Sequence, residues 1–122
     1  MRIAWIACLA GFALACGSSF PPPNDEWSAA QADVGRAEAG GAPGVPDAKL
    51  HLQLAQEDLA KSKQLIDQDN KRAASLIAVA RAEAQLALSL AKEQIAQDAA
   101  HTAQAAAQKA QADAQKAANG GK

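Results

Sequence analysis

The side chains in this chain that could do chemistry are few. Cys8 and Cys16 are its only thiols, and His51 and His101 its only imidazoles. A thiolate can be a nucleophile, an acylation point or a metal ligand, but both cysteines fall in the first 16 residues and leave nothing to pair in the remainder. A disulfide framework or a structural zinc site in the body is therefore excluded. The histidines stand 50 positions apart, with no nucleophile, base and orienting acid arranged around either, and both read as solvated surface residues. No glycine-rich phosphate loop and no cluster of histidine and acid at metal-ligand spacing is present. Glu83 stands inside an apolar sector, where a buried carboxylate could serve ligand or proton chemistry. An ion pair with Lys61 or Lys63, or an exposed edge near Leu59, accounts for it more simply. The expectation is a protein with no catalytic residue, no cofactor and no metal, and hence not an enzyme.

The elements that carry these residues begin with a targeting segment. Met1-Arg2 is a short positive head, residues 3–14 form an apolar run, and small residues follow at Ala15 and Gly17. That order is the layout of a secretory signal, and the run is short for a bilayer span, which favours cleavage over retention. Gly17-Ser18-Ser19-Phe20-Pro21-Pro22-Pro23 has no helical or strand period, and its consecutive prolines favour a stiff extended spacer. Cys8 reads as a small apolar residue of the signal core.

Ala13-Leu14-Ala15-Cys16 resembles the lipobox of bacterial lipoproteins. The resemblance implies that Cys16 is acylated, palmitate among its chains, and becomes the first mature residue after residues 1–15 are cleaved. More than one chain is what stable anchoring requires. It also implies sorting: an aspartate directly after the cysteine commonly retains such proteins in the inner membrane, and Gly17 stands there instead. The expected location is the outer membrane, with the protein facing the periplasm.

Composition describes what is anchored. Apolar residues make up 49% of the chain but aromatics only 3%, and there is no tyrosine, so alanine supplies most of the apolar fraction. Such material forms helices and offers little bulk for a core. The net charge of −1 becomes −2 once the first fifteen residues, whose only charge is Arg2, are removed. Neither sign dominates, and a nucleic-acid footprint or a polybasic membrane patch is not indicated.

From Asn24 the apolar period is that of a helix. Asn24 or Asp25 can cap a helix over 25–39 whose Trp27, Ala30, Val34 and Ala37 form one narrow face. Gly40-Gly41-Ala42-Pro43-Gly44-Val45-Pro46 ends it, with the paired glycines favouring a left-handed cap. A second helix is predicted over 47–69, with Leu52, Ala55, Leu59 and Ile66 as its seam and Glu57 and Lys61 paired on its flank. Leu50, Leu54 and Leu65 lie on another side, where they must meet helix one or a partner, and contact within the chain is the simpler expectation. Asp67-Gln68-Asp69-Asn70-Lys71 is the turn, with Asp69 or Asn70 as a cap. In helix three, Leu76, Val79, Ala80, Ala84, Leu86, Ala87, Leu90 and Ala91 occupy a sector wide enough for two neighbours. Short connections favour antiparallel packing. The expected class is all-α: a helical hairpin or small three-helix bundle over 25–95, tied by Cys16 and the tether over 16–24, with an alanine- and glutamine-rich helical extension over 96–122.

Beyond Ile95 no large aliphatic or aromatic residue occurs. A helix over 71–118 would be roughly 72 Å long, while helix two runs out opposite about Lys92, so the final turns should project, away from the anchored end. Ala99, Ala103, Ala106, Ala110, Ala114 and Ala117 recur every three or four residues. The tract reads as a lone solvated helix, as a homo-oligomer seam of methyl groups with weak driving force, or as a frayed segment.

Residues 46–91, PDAKLHLQLAQEDLAKSKQLIDQDNKRAASLIAVARAEAQLALSLA, resemble the bacterial envelope lipoproteins of the domain of unknown function 4398 family. Pro46, Leu50, Leu52, Ala55, Leu59, Ala60, Ala73, Leu76, Ala80, Ala84 and Leu90 are the matching positions. The resemblance implies a helical hairpin on a lipid tether and no particular activity. A second resemblance is to murein lipoproteins, long helical coils whose terminal lysine is attached to peptidoglycan, and Lys122 ends this chain. The expected function is a non-catalytic interaction or spacer element of the envelope, held by the acyl chains on Cys16 and contacting a protein partner, a second copy or peptidoglycan. The alternative is a structural tether from outer membrane to peptidoglycan through Lys122.

Overall fold

Prolines stand where each of the first two helices begins. In the computed structural model, which describes residues 20–120, Pro23 precedes α1 (Asn24–Ala39) and Pro46 opens α2 (Pro46–Leu65). Proline costs no hydrogen bond at the first helical position, because that N–H has no partner within the helix. α1 lacks the predicted side-chain cap from Asn24 or Asp25. The carbonyl of Pro23 begins the ladder instead, accepting from the Trp27 N–H at 3.0 Å.

α1 ends at the paired glycines. Gly41 takes the left-handed conformation, φ 93°, as that pair predicts, and a single 3-10 turn, Ala42–Gly44, carries the chain into α2. α2 stops at Leu65, four residues short of the predicted end, because Ile66 is extended (ψ 133°) and Asp67 is left-handed (φ 71°). The N–H groups of Gln68 and Asp69 both donate to the Leu65 carbonyl, at 3.0 and 2.8 Å. Asp69 then caps α3 (Asn70–Gly120) as expected, its Oδ1 accepting from the Arg72 N–H at 3.0 Å.

The molecule is all-α, a three-helix arrangement with a long last helix. α2 and α3 form an antiparallel hairpin, and α1 lies across one side of it, parallel to α3: Asp33 meets Arg81 and Gly40 meets Leu88. The core is made largely of methyl groups. On α3 the buried stripe is Ala73, Ile77, Ala80, Ala84, Ala87 and Ala91, at alternating steps of four and three, and Leu52, Ala55 and Leu59 of α2 and Ala30, Val34 and Ala37 of α1 close on it. Small residues let the helix axes approach closely, so the packing gains from short distance what it lacks in side-chain volume.

Two predicted contacts do not form. Leu50 and Leu54 are 55% and 38% exposed rather than packed on α1, and Val79 and Leu86 of the apolar sector are also exposed. The α2 face that α1 covers already holds Leu52 and Leu59, and the leucines lie on the other side of the helix. After Ala91 every described residue of α3 is exposed; Ile95 and Gln97 still border Gly41, Val45 and Asp47, and residues 98–120 extend about 35 Å further at 1.5 Å per residue. α3 is long and apolar enough in one window, of mean hydropathy 1.3, to cross a membrane by length and composition alone. Alanine, whose buried methyls face α1 and α2, contributes heavily to that value.

Candidate functional site

Cys16 and Lys122, the residues singled out for lipidation and for peptidoglycan attachment, lie outside the described residues, as does Cys8. The described chain does show where the anchored end joins the bundle. Asn70, the first residue of α3, donates through Nδ2 to the Phe20 carbonyl at 2.8 Å, while its Oδ1 accepts from the Asp67 N–H at 2.7 Å. One side chain thus fastens the amino-terminal segment to the hairpin turn. Pro23, three residues after Phe20, is buried. Trp27 repeats the attachment one turn on: its Nε1 donates to the Leu59 carbonyl at 3.2 Å, and Lys63 Nζ stands 4.4 Å from the ring centre, in range of the negative face of the indole. The chain comes in at the turn end of the bundle, and α3 leaves it at the other end.

Two polar clusters interrupt the alanine packing. On the α1 side, Asp33 is 4% exposed, a position where an ionised carboxylate needs partners. Arg81 Nε of α3 donates to its Oδ2 at 2.9 Å, and Arg36, one turn along α1, donates to Oδ1. These bonds fix the register of α1 on α3. Beside them Leu88, Gln85 and Lys92 line an open groove of about 370 Å³. Sequence reading missed Asp33, since an acid one residue before Val34 looks like the polar edge of the helix. The signal available was a basic residue, Arg81, set in an otherwise apolar stretch of α3.

On the opposite side, His51 Nδ1 donates to Glu83 Oε2 at 2.6 Å, and both side chains are about a quarter exposed. This corrects two expectations: His51 is not a solvated surface residue, and Glu83 pairs with it rather than with Lys61 or Lys63. The cause is the earlier end of α2. With the helix stopping at Leu65, Glu83, 13 residues after Asn70, comes level with His51, 14 residues before Leu65. Lys61 instead lies near Glu57 and Asp58 of its own helix, at 3.6 and 3.5 Å. His101 is exposed on the extension, as expected.

No protein-family model matches the chain, and neither a curated protein nor a solved structure is significantly similar to it.

The site's chemistry therefore rests on these residues alone. A histidine hydrogen-bonded to a glutamate is the beginning of a proton-transfer pair. Around it stand Leu50, Leu54, Val79 and Leu86, apolar side chains with no nucleophile among them. Among the described residues no group of three or more His, Cys, Asp or Glu is placed to hold a metal ion. Both clusters tie one helix to another, and what they present to the outside is an arrangement of surfaces.

Proposed function

We propose that the protein is a lipid-anchored lipoprotein of the bacterial envelope, acylated at Cys16, held on the periplasmic face of the outer membrane, and acting there as a non-catalytic interaction or spacer element. One observation carries the geometric part of this reading. Asn70 ties the incoming chain to the hairpin turn, and residues 98–120 leave from the opposite end, exposed throughout. An anchor at the turn end stands the bundle between the membrane and the free helix. The likeness of residues 46–91 to the domain of unknown function 4398 lipoproteins points the same way. Labelling with radioactive palmitate and fractionation of the envelope test it. The wild type takes up label and sediments with the outer membrane, and Cys16→Ser does neither. A Cys16→Ser protein that remains outer-membrane-bound ends the proposal.

The direction of the extension also supports a second reading, a tether to peptidoglycan through Lys122. Peptidoglycan purified by boiling in detergent would then retain the protein, and Lys122→Arg would release it. Release of the wild type under the same treatment rejects the covalent link.

A further inference from the structure

The face of the α2–α3 hairpin turned away from α1 carries two stripes of the same design. On α2, Asp47, Leu54 and Lys61 follow one another at seven-residue steps; on α3, Arg72, Val79, Leu86 and Glu93 do the same. Residues seven apart lie on one side of a helix. The His51–Glu83 bond brings the stripes together, since His51 neighbours Leu54 and Glu83 lies between Val79 and Leu86. The face is opposite α1, because Gln56 and Arg81, two residues on from Leu54 and Val79 and so on the far side of each helix, are the ones that bond Glu38 and Asp33 of α1. Each stripe is apolar in the middle, acidic at the open end of the hairpin and basic at the turn end. Leu54, Val79 and Leu86 are 38%, 44% and 42% exposed, and no salt bridge engages Arg72, Asp47 or Glu93 among the described residues.

We propose that this face binds a second copy of the chain, antiparallel, about a two-fold axis passing between the two Leu54 side chains. Laid antiparallel on itself, the α2 stripe sets Leu54 on the partner's Leu54 and brings Lys61, which in the single chain lies near Glu57 and Asp58, to the partner's Asp47. The α3 stripe sets Val79 on the partner's Leu86 and Arg72 on the partner's Glu93. The two registers call for nearly the same axis: counted from Leu65 and Asn70, Leu54 lies level with Arg81, about 1.5 residues from the midpoint of Val79 and Leu86, so an axis set between them displaces each stripe by about 2 Å. A parallel pair would stack Lys61 on Arg72 and Asp47 on Glu93, like on like at both ends, which disfavours it. The occupant is a hairpin rather than a single helix. The apolar side chains stand on the two helix ridges, and the groove between them holds the His51–Glu83 pair, which a lone helix would bury against its own apolar face at a desolvation cost.

The hairpin face measures roughly 30 Å by about 20 Å, from a 1.5 Å rise over the 20 residues of α2 and two helices 8–10 Å apart. That is on the order of 1,200 Å² for the two copies together, the lower edge of what specific complexes bury. The pair is accordingly reversible and concentration-dependent. Its two amino-terminal ends lie at opposite ends of the rod, so a pair lies along an anchoring surface or joins two, while standing upright belongs to the single copy. Pairing is independent of the lipid anchor.

Cysteine crosslinking of the full chain in intact cells with a short membrane-permeant bis-maleimide tests it. Leu54→Cys gives a dimer band well above the parent chain, which carries only Cys8 and Cys16, and Gln56→Cys on the α1 side does not. Adding Arg72→Glu lowers the Leu54→Cys band at least tenfold, and adding Glu93→Arg to that variant restores it. Arg72→Glu places an acid in the first turn of α3, where it favours the helix, so loss of the band reports lost pairing and not lost fold. A Leu54→Cys band equal to the parent, an equal band from Gln56→Cys, failure of the charge swap to restore, or a product with the mass of a different protein each overturns the proposal.

Discussion

Arg81 of α3 reaches across to α1 and donates through Nε to Asp33 Oδ2 at 2.9 Å, so that a nearly buried carboxylate is held between Arg81 and its own helix's Arg36. Removing one partner of a buried ion pair leaves an uncompensated charge, typically at 3–5 kcal/mol. Here Arg36 remains and the Arg81 side chain is 42% exposed, so Arg81→Met should cost less, about 2 kcal/mol. Asp33→Ala combined with Arg81→Met removes the buried charge as well and should recover more than half of that loss. Urea unfolding followed by circular dichroism measures both. A double variant no more stable than Arg81→Met would mean that Asp33 does not depend on this pair.

Gly40 and Gly41 make different predictions although they are neighbours. A side chain at Gly40 would meet Leu88 Cδ1 and, at 3.0 Å, the Arg36 carbonyl. Leu88 can swing aside toward the open groove, and Gly40→Ala should cost about 1 kcal/mol, at the low end for overpacking. Gly41 has φ 93° with Ile95 only 3.2 Å from where a Cβ would lie. Gly41→Ala adds the left-handed penalty of about 1–2 kcal/mol to that contact and should be the worse of the two. Equal midpoints in urea would refute the assignment of the turn's conformation to Gly41.

His51 and Glu83 should show coupling that single substitutions understate. Both are partly exposed, so His51→Ala and Glu83→Gln should each cost about 1 kcal/mol or less. The test is the double-mutant cycle, in which a positive interaction of about 0.5 kcal/mol or more is expected for residues in contact. Additive effects would show that the 2.6 Å bond does not hold the hairpin in register.

The features legible in the sequence were those set by local rules. The Trp27, Ala30, Val34, Ala37 face, the left-handed Gly41 and the Asp69 cap follow from period and backbone chemistry, which need only neighbours in the chain. Ending α2 at Leu65 was not legible, because Ile66, Asp67 and Gln68 do not forbid a helix individually. That displacement of four residues shifts what Glu83 meets toward the start of α2, where His51 stands. Asp33 was hidden for a related reason, since its burial is decided by Arg81, 48 residues away. The exposure of Leu50 and Leu54 belongs to the same class: a leucine's period tells which side of a helix it occupies but not whether another helix arrives there.

The extension makes the last prediction. Residues 92–120 are helical yet exposed throughout, so their helicity rests on alanine's propensity and on bonds within the turn, such as Gln94 to Asp98 at 3.0 Å and Gln97 to Glu93 at 3.1 Å, each contributing only about 0.2–0.5 kcal/mol. Those before Ala99 still border the bundle, Ile95 at Gly41 and Gln97 in a groove with Val45 and Asp47, whereas the tract from Ala99 on stands clear of it. Deleting 99–122 should therefore leave the urea midpoint of the bundle unchanged within about 0.5 kcal/mol, the range of surface changes, while lowering the total helical signal. Amide hydrogens beyond Ala91 should exchange much faster than those of the buried stripe, because local fraying opens them without unfolding the bundle. The alanine stripe from Ala99 to Ala117 offers one methyl per contact, about 0.8 kcal/mol at full burial, against the leucine and valine contacts of the hairpin face. Light scattering at matched concentration should find the same number of copies per particle with and without the extension. Fewer copies per particle after deletion would move self-association from the hairpin to the alanine seam.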